Sequence, residues 1–326
     1  YTDGGSFDHN VSSAGVPVNR APNDLNSTGL LIVAENQPIG AVVGDFNATD
    51  PDAGATLTYH LVSGAGDGNN SLFTLETNGT LKTATTFDYE SNASIYAIRV
   101  QAKDEYNATV EGNFTVTLLN VDEAPVITEG AGPLVVTMSE DSFPTAWVAP
   151  TLGATDAETA DSALVWSVSS AATNGTATVT GTAATPTTFT YAPNADFNGS
   201  DSFVVQVSDG ALTDTITINV TVSGVNDAPV ITQGAGPIAK TVIEDGNASW
   251  GAVDLNATDV DTASSSLTWS VSSGASNGSI VLSGTGSYPS LFTYTPNADF
   301  NGSDTFTVQV SDGALSDSVT FNVTVN

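Results

Sequence analysis

YAPNADFNGSDSFVVQVSDGAL, residues 191–212, returns almost unchanged as YTPNADFNGSDTFTVQVSDGAL at residues 294–315. Within the first copy Phe203, Val205 and Val207 alternate with Val204, Gln206 and Ser208. Downstream, Ile216, Ile218, Val220 and Val222 alternate with Thr217, Asn219, Thr221 and Ser223. A period of two marks strands with one buried face. The Asn-Gly and Asp-Gly steps between apolar runs supply the turns. The stretch reads as strand, turn, strand, and its return reads as a repeated all-β unit.

The repeat extends outward from this core. EAPVITEGAGP at 123–133 matches DAPVITQGAGP at 227–237, and LVWSVSS at 164–170 matches LTWSVSS at 267–273. TINVTV at 217–222 matches TFNVTV at 320–325. Ala21-Pro22, Ala124-Pro125 and Ala228-Pro229 each follow a polar pair, which sets the period. The expected organisation is a tail at 1–18 and three repeats at 19–121, 122–225 and 226–326. About seven short strands per hundred residues, broken by Gly, Asn, Asp and Pro, predict a Greek-key β-sandwich in each repeat. Strands of about 12 residues make a sandwich roughly 40 Å long, so three in series would form an elongated rod of order 120 Å.

Composition narrows the function. The 326 residues carry 36 Asp+Glu against 5 Lys+Arg, a formal charge of −31, and no Cys. Arg20, Lys82, Arg99, Lys103 and Lys240 form no cluster, which argues against nucleic acid or anionic lipid as partner. No apolar run reaches the roughly 18–20 residues of a membrane helix, so no membrane insertion by this chain is expected. Without Cys there is no disulfide and no thiolate metal site. His9 and His60, read as solvated, leave little room for His-based catalysis. HExxH, P-loop and Rossmann signatures are missing, and the acids recur with the repeat, as structural sites do and a single active centre would not. The chain is expected not to be an enzyme.

The first repeat resembles a cadherin repeat. AENQPIGAVVGDFNATDPDAG at 34–54 carries a Glu-Asn start and the Asp50, Asp52 loop, FDYES at 87–91 looks like the family's Asp-Tyr-Glu segment, and VQAKDEYN at 100–107 its Ala-x-Asp segment. The second and third repeats look like the cadherin-like and Ig-like tandem repeats of prokaryotic surface proteins, with the quoted motif and the VNDAP ending. The resemblance implies extracellular Ig-like sandwiches joined end to end, with Ca2+ at the junctions. Residue by residue, it implies Glu35, Asp88, Glu90, Asn120, Asp122, Asp156, Glu158 and Asp209 at the first junction. At the second it implies Glu140, Asp196, Asn226, Asp227, Asp259, Asp261 and Asp312. Such a set suits calcium, which takes 6–8 oxygen ligands. Asp and Asn in β-turns also serve simply as caps.

One position departs from the pattern. Arg20 stands where the other linkers have Glu123 and Asp227. Its guanidinium would either replace a cation by pairing with Asp50, Asp52 and Asp104, or lie exposed.

Sixteen of the 25 Asn lie in Asn-x-Ser/Thr sequons: Asn10, Asn26, Asn47, Asn69, Asn78, Asn92, Asn107, Asn113, Asn174, Asn198, Asn219, Asn247, Asn256, Asn277, Asn301 and Asn322. With 34 Ser and 45 Thr in 326 residues, chance gives about 6, so the excess points to N-glycosylation of an exported protein, unless turn motifs such as FNGSD supply it. Trp147, Trp166, Trp250 and Trp269 form homologous pairs, and Val neighbours around Trp166 and Trp269 point to core packing over a sugar platform.

The expectation is an extracellular, cell-surface structural or adhesive protein, a calcium-rigidified rod that is a glycosylated subunit of a surface filament or surface layer. Its partners would be itself, through head-to-tail or lateral contacts, or another surface protein or glycan. Residues 1–18 would complete the junction of a neighbouring copy, with Glu244, Asp245 and Asp299 of one copy facing Asn19 and Asp104 of the next, or would be a simple tail or the end of a preceding unit. Two alternatives stay open: a spacer segment of a large repeat adhesin, and a carbohydrate-binding accessory module of a secreted polysaccharide-degrading enzyme.

Overall fold

The structure, a computed structural model, describes residues 18–234, 236–246, 248–249 and 255–326. The expectations for the N-terminal tail, His9, Asn10, Asn247 and Trp250 lie outside these residues. The described chain is built of strands, and its only helical turns are three-residue 3-10 turns. Contacts group it into two compact units. One holds the described residues up to Ala124 together with Asp156–Ala160; the other holds Pro125–Thr155 and Asp161–Asn326. Three separate hydrophobic cores lie within them.

In the first repeat two four-stranded sheets face each other. One runs Asn23–Ser27, Val42–Thr49, Thr80–Thr83, Phe73–Leu75, and the other Ile32–Ala34, Thr109–Leu119, Ile95–Lys103, Thr58–Leu61. The inner faces bury Phe46, Phe73, Phe87 and Tyr96, with Phe73, Phe87 and Tyr96 in mutual ring contact. Arg99 and Glu111 pair across the long hairpin at 2.6 Å on its outer face. His60 is half-buried on its strand with Nε2 3.1 Å from Thr58 Oγ1, so the solvated reading of this histidine is corrected: its strand lies on a sheet edge whose outer row is partly covered.

The second and third repeats follow the alternation. Phe203, Val205, Val207, Ile216, Ile218, Val220 and Val222 are all buried, and the residues between them face outward. Trp166 and Trp269 are core residues whose indole N–H groups donate to Ala183 O (2.9 Å) and Gly286 O (3.0 Å). Trp147 packs half-buried against Phe189, Tyr191 and Phe203. The NADFNG stretch turns sharply: Asp196 and Asp299 take φ of 58° and 59°, and Gly199 and Gly302 take 134° and 135°, which favours glycine.

One device recurs in all three repeats. A short strand pairs in parallel with the last strand: Ile32–Ala34 with Thr109–Leu119, Leu134–Ser139 with Thr213–Ser223, and Ile238–Val242 with Ser316–Val325. The residue one or two beyond each short strand is glutamate. Its N–H extends the ladder, from Glu35 to Leu119 O (3.0 Å), Glu140 to Ser223 O (3.1 Å) and Glu244 to Asn326 O (2.8 Å). The fold thus delivers one carboxylate beside the exit of each repeat.

Candidate metal centres

Glu35 is 1 % exposed and doubly anchored, accepting the Tyr89 N–H at 2.6 Å and the Val121 N–H at 2.7 Å. It thereby ties the FDYES turn to the linker. In that turn Asp88 Oδ1 accepts the N–H groups of Glu90 (3.1 Å) and Ser91 (3.2 Å). The Ser91 contacts chiefly, then the Glu90 amide, hold Asp88 below the usual carboxylate range. Glu35, Asp88 and Glu90 each present an oxygen within 4.8 Å of the others.

A second triple shares Glu90 with Glu123 and Glu158, again within 4.8 Å. Glu158 Oε2 accepts the Glu123 N–H at 3.1 Å, which fastens the Asp156–Ala160 loop to this unit. Local desolvation, then Glu158 and Glu35, push Glu90 up to about 7. Asp156 supports the loop by accepting the Glu158 N–H (3.0 Å) and the Thr159 N–H (2.7 Å). Asn120 and Asp122 lie exposed on the linker. Asp209 belongs to the other compact unit, where its Oδ1 accepts the Ala211 and Leu212 N–H groups at 2.6 and 2.7 Å.

That unit contains the third triple, Glu140, Asp227 and Asp261. Glu140 accepts the Val225 N–H at 2.5 Å, and Asp261 Oδ2 accepts the Asp227 N–H at 2.8 Å. Asp259 Oδ1 accepts the amides of Asp261 (3.0 Å) and Thr262 (2.7 Å). Asn226 Nδ2 donates to Asp312 Oδ2 at 2.7 Å. Desolvation, followed by Asp141, Asp261, Asp196 and Glu140, raises Asp227. Asp196 thus acts on this triple through its charge.

Two residues missed by the sequence reading belong here. Glu123 completes the second triple, and its equivalence to Asp227 in the linkers was the signal for it. Asp141 adds negative charge near Asp227, and no spacing rule marked it.

The donor set fits a hard cation. Among the described residues, eight side-chain oxygens are closed off from solvent without a hydrogen-bond partner, and seven of them are carboxylate oxygens. They are Asp50 Oδ2, Glu140 Oε2, Asp156 Oδ2, Glu158 Oε1, Asp209 Oδ2, Asp227 Oδ2 and Asp259 Oδ2. An unpaired carboxylate oxygen out of water is costly, and clustered like charges add to the cost. All-oxygen ligands without nitrogen or sulfur suit calcium or magnesium, and several carboxylates per site favour calcium.

The tryptophans do not form an exposed platform among the described residues, since Trp166 and Trp269 are buried. None of the described sequon asparagines is buried: Asn69, Asn174, Asn256 and Asn277 are half-buried and the others exposed.

Comparison with known proteins agrees with the geometry. Residues 31–122 match the cadherin domain, 122–221 the bacterial Ig domain, and 226–326 the bacterial cadherin-like domain. The chain is therefore a tandem of cadherin-like and Ig-like repeats. It is 33 % identical over 150 residues to protein dachsous of Drosophila melanogaster, covering 40 % of this chain and 4 % of that protein. It is 36 % identical over 108 residues to protocadherin Fat 4 of Homo sapiens, covering 31 % of this chain and 2 % of that protein. The chain thus spans a small fraction of the length of these relatives. Among solved structures, mouse cadherin-23 EC22-24 aligns with a TM-score of 0.49 at 19 % identity, covering 95 % of this chain and 99 % of that one. Protocadherin gamma B2 extracellular domains 1-5 align with a TM-score of 0.48 at 20 % identity, covering 95 % and 61 %.

Proposed function

We propose that this chain is a non-enzymatic, extracellular structural or adhesive rod whose repeats, bounded at 19–121, 122–225 and 226–326, are stiffened by Ca2+ at their junctions. The observation that carries this reading is the set of partnerless carboxylate oxygens on Glu140, Asp156, Glu158, Asp209, Asp227 and Asp259. Divalent ions held within each unit would remove the repulsion among these carboxylates and supply a missing partner. In the first unit Glu35, Asp88, Glu90, Glu123 and Glu158 would hold it; in the second, Glu140, Asp227 and Asp261 with Asp259. Cadherin domains bind calcium at such junctions, which supports the same reading. The partners on this reading are further copies or other molecules of the cell surface, and the chain serves in a surface filament, layer or long adhesin. The accessible sequon asparagines support N-glycosylation.

Melting in calcium and in EDTA tests the calcium reading. EDTA should lower the melting midpoint by several degrees and broaden the distance distribution in small-angle scattering. Identical melting and scattering in both buffers would sink it. Intact mass tests the glycans: native material should exceed the bare polypeptide mass by whole glycan increments, and a bare mass refutes the modification.

A further inference from the structure

The mouth of the first repeat is built on the same backbone scaffold as the other two, yet its residues do not fit a divalent ion. In all three the loop's first acid accepts the N–H of its second. Asp52 donates to Asp50 Oδ1 at 2.7 Å, Glu158 to Asp156 Oδ1 at 3.0 Å, and Asp261 to Asp259 Oδ1 at 3.0 Å. In all three the linker residue donates its N–H to the second acid: Arg20 to Asp52 Oδ2 at 2.7 Å, Glu123 to Glu158 Oε2 at 3.1 Å, and Asp227 to Asp261 Oδ2 at 2.8 Å.

The difference lies at the remaining oxygen of the second acid. Glu158 Oε1 has no partner. Asp52 Oδ1 receives both Nε and Nη2 of Arg20, each at 2.9 Å, and Nη2 also donates to Pro51 O at 2.5 Å. Asp104, 3 % exposed, has its Oδ2 taken by Asn19 Nδ2 at 2.9 Å, as Asp312 Oδ2 is by Asn226 Nδ2 at 2.7 Å in the third repeat, so this contact is shared. Of the carboxylate oxygens of Asp50, Asp52 and Asp104, only Asp50 Oδ2 is left partnerless among the described residues. A permanently charged guanidinium thus sits on the oxygen of the second acid that stays free on Glu158.

We propose that Arg20 is a resident cation for this loop. It neutralises Asp52, occupies the oxygen a metal would need and repels a divalent ion, so the mouth of the first repeat keeps its geometry without calcium. This rests on the calcium reading of the other two loops. The chain then has one calcium-indifferent loop and two calcium-dependent loops.

Hydrogen exchange on the full chain, with and without calcium, tests it at the three pairs of amides named above. Calcium should slow exchange at Glu123 and Glu158 and at Asp227 and Asp261 by tenfold or more, and leave Arg20 and Asp52 unchanged. In R20D, calcium should slow exchange at Asp52 as well. Slowing at all three loops of the wild type overturns the proposal while the calcium reading stands. Slowing at none removes both. An R20D chain whose Asp52 loop stays indifferent to calcium overturns the role given to the guanidinium. The wild-type comparison decides the question even if R20D fails to fold.

Discussion

Glu90 belongs to both acidic triples of the first unit, and this shared place gives it a pH signature. It is pushed up to about 7 from an ordinary value of 4.5, first by desolvation and then by Glu158 and Glu35. Because the folded value lies above the unfolded one, the folded chain binds more protons between the two, and stability falls as pH rises. The contribution is fully present below about 4.5 and is lost as pH passes through about 7. In EDTA, the first unit should therefore melt at a higher temperature at pH 5 than at pH 8, and Glu90→Gln should flatten that slope. A wild-type slope that survives the substitution intact would assign the effect elsewhere. In excess calcium the metal takes the proton's place, and the slope should weaken or reverse. Glu35, Asp88 and Glu90 were legible because two short motifs, AENQP and FDYES, carry them in order. Glu123 had only its linker equivalence to Asp227 to mark it, and its place in the triple is set by the fold, which brings Glu158 onto its amide.

At the scale of elements, the hairpin of Gly199–Ser208 and Thr213–Ser223 hides a buried carboxylate that no motif assigned. Asp201, 8 % exposed, accepts the N–H groups of Thr173 (3.1 Å), Asn174 (2.9 Å) and Ser202 (2.9 Å) and the Tyr191 hydroxyl (2.8 Å). Asp304 repeats this with Ser276, Asn277, Thr305 and Tyr294. Burial pushes Asp201 up, but Tyr191 and the three amides outweigh it and hold the carboxyl below its usual range. Asp201→Ala strands four donors at once and should cost the second repeat about 3–5 kcal/mol, while Tyr191→Phe should cost about 1–2 kcal/mol. Urea unfolding measures both, and a loss below about 1 kcal/mol for the alanine would contradict the role. Strand positions here were readable from alternation alone. The pinning of the Thr173–Asn174 loop was not, because it joins residues 28 and 27 positions apart in the chain. The parallel pairing of the short strand was equally hidden, since strands of three to six residues carry too few alternations to fix a partner.

At the scale of the whole molecule, the charge of −31 acquires addresses. Part of it is gathered in the three triples, where it is repulsive without a counter-ion. Calcium at about ten times its dissociation constant adds about 1.4 kcal/mol per site by mass action. That is enough to move the melting midpoint of a hundred-residue sandwich by several degrees, which sets the size of the EDTA effect. The repeat period announced three modules, and three cores are present. The period could not announce that contacts would group the second and third repeats into one compact unit. That unit contains the cluster of Glu140 with Asp227 and Asp261, which gathers residues about 87 and 121 positions from Glu140 in the chain.

The parallel strand pairs carry a further consequence, one of mechanical load. In each repeat the short strand lies near the start and its partner is the last strand, so tension on the two chain ends pulls the pair in opposite directions along its length. Its hydrogen bonds then share the load and must fail together instead of opening one by one. The pairs differ in extent: three residues in the first repeat, six in the second and five in the third. Under a steadily rising force the first repeat should yield first, and a single-molecule pulling trace should show one early rupture followed by two stronger ones. The module whose mouth is closed by Arg20 would then be the mechanical fuse of the chain, and the two repeats behind it the cable.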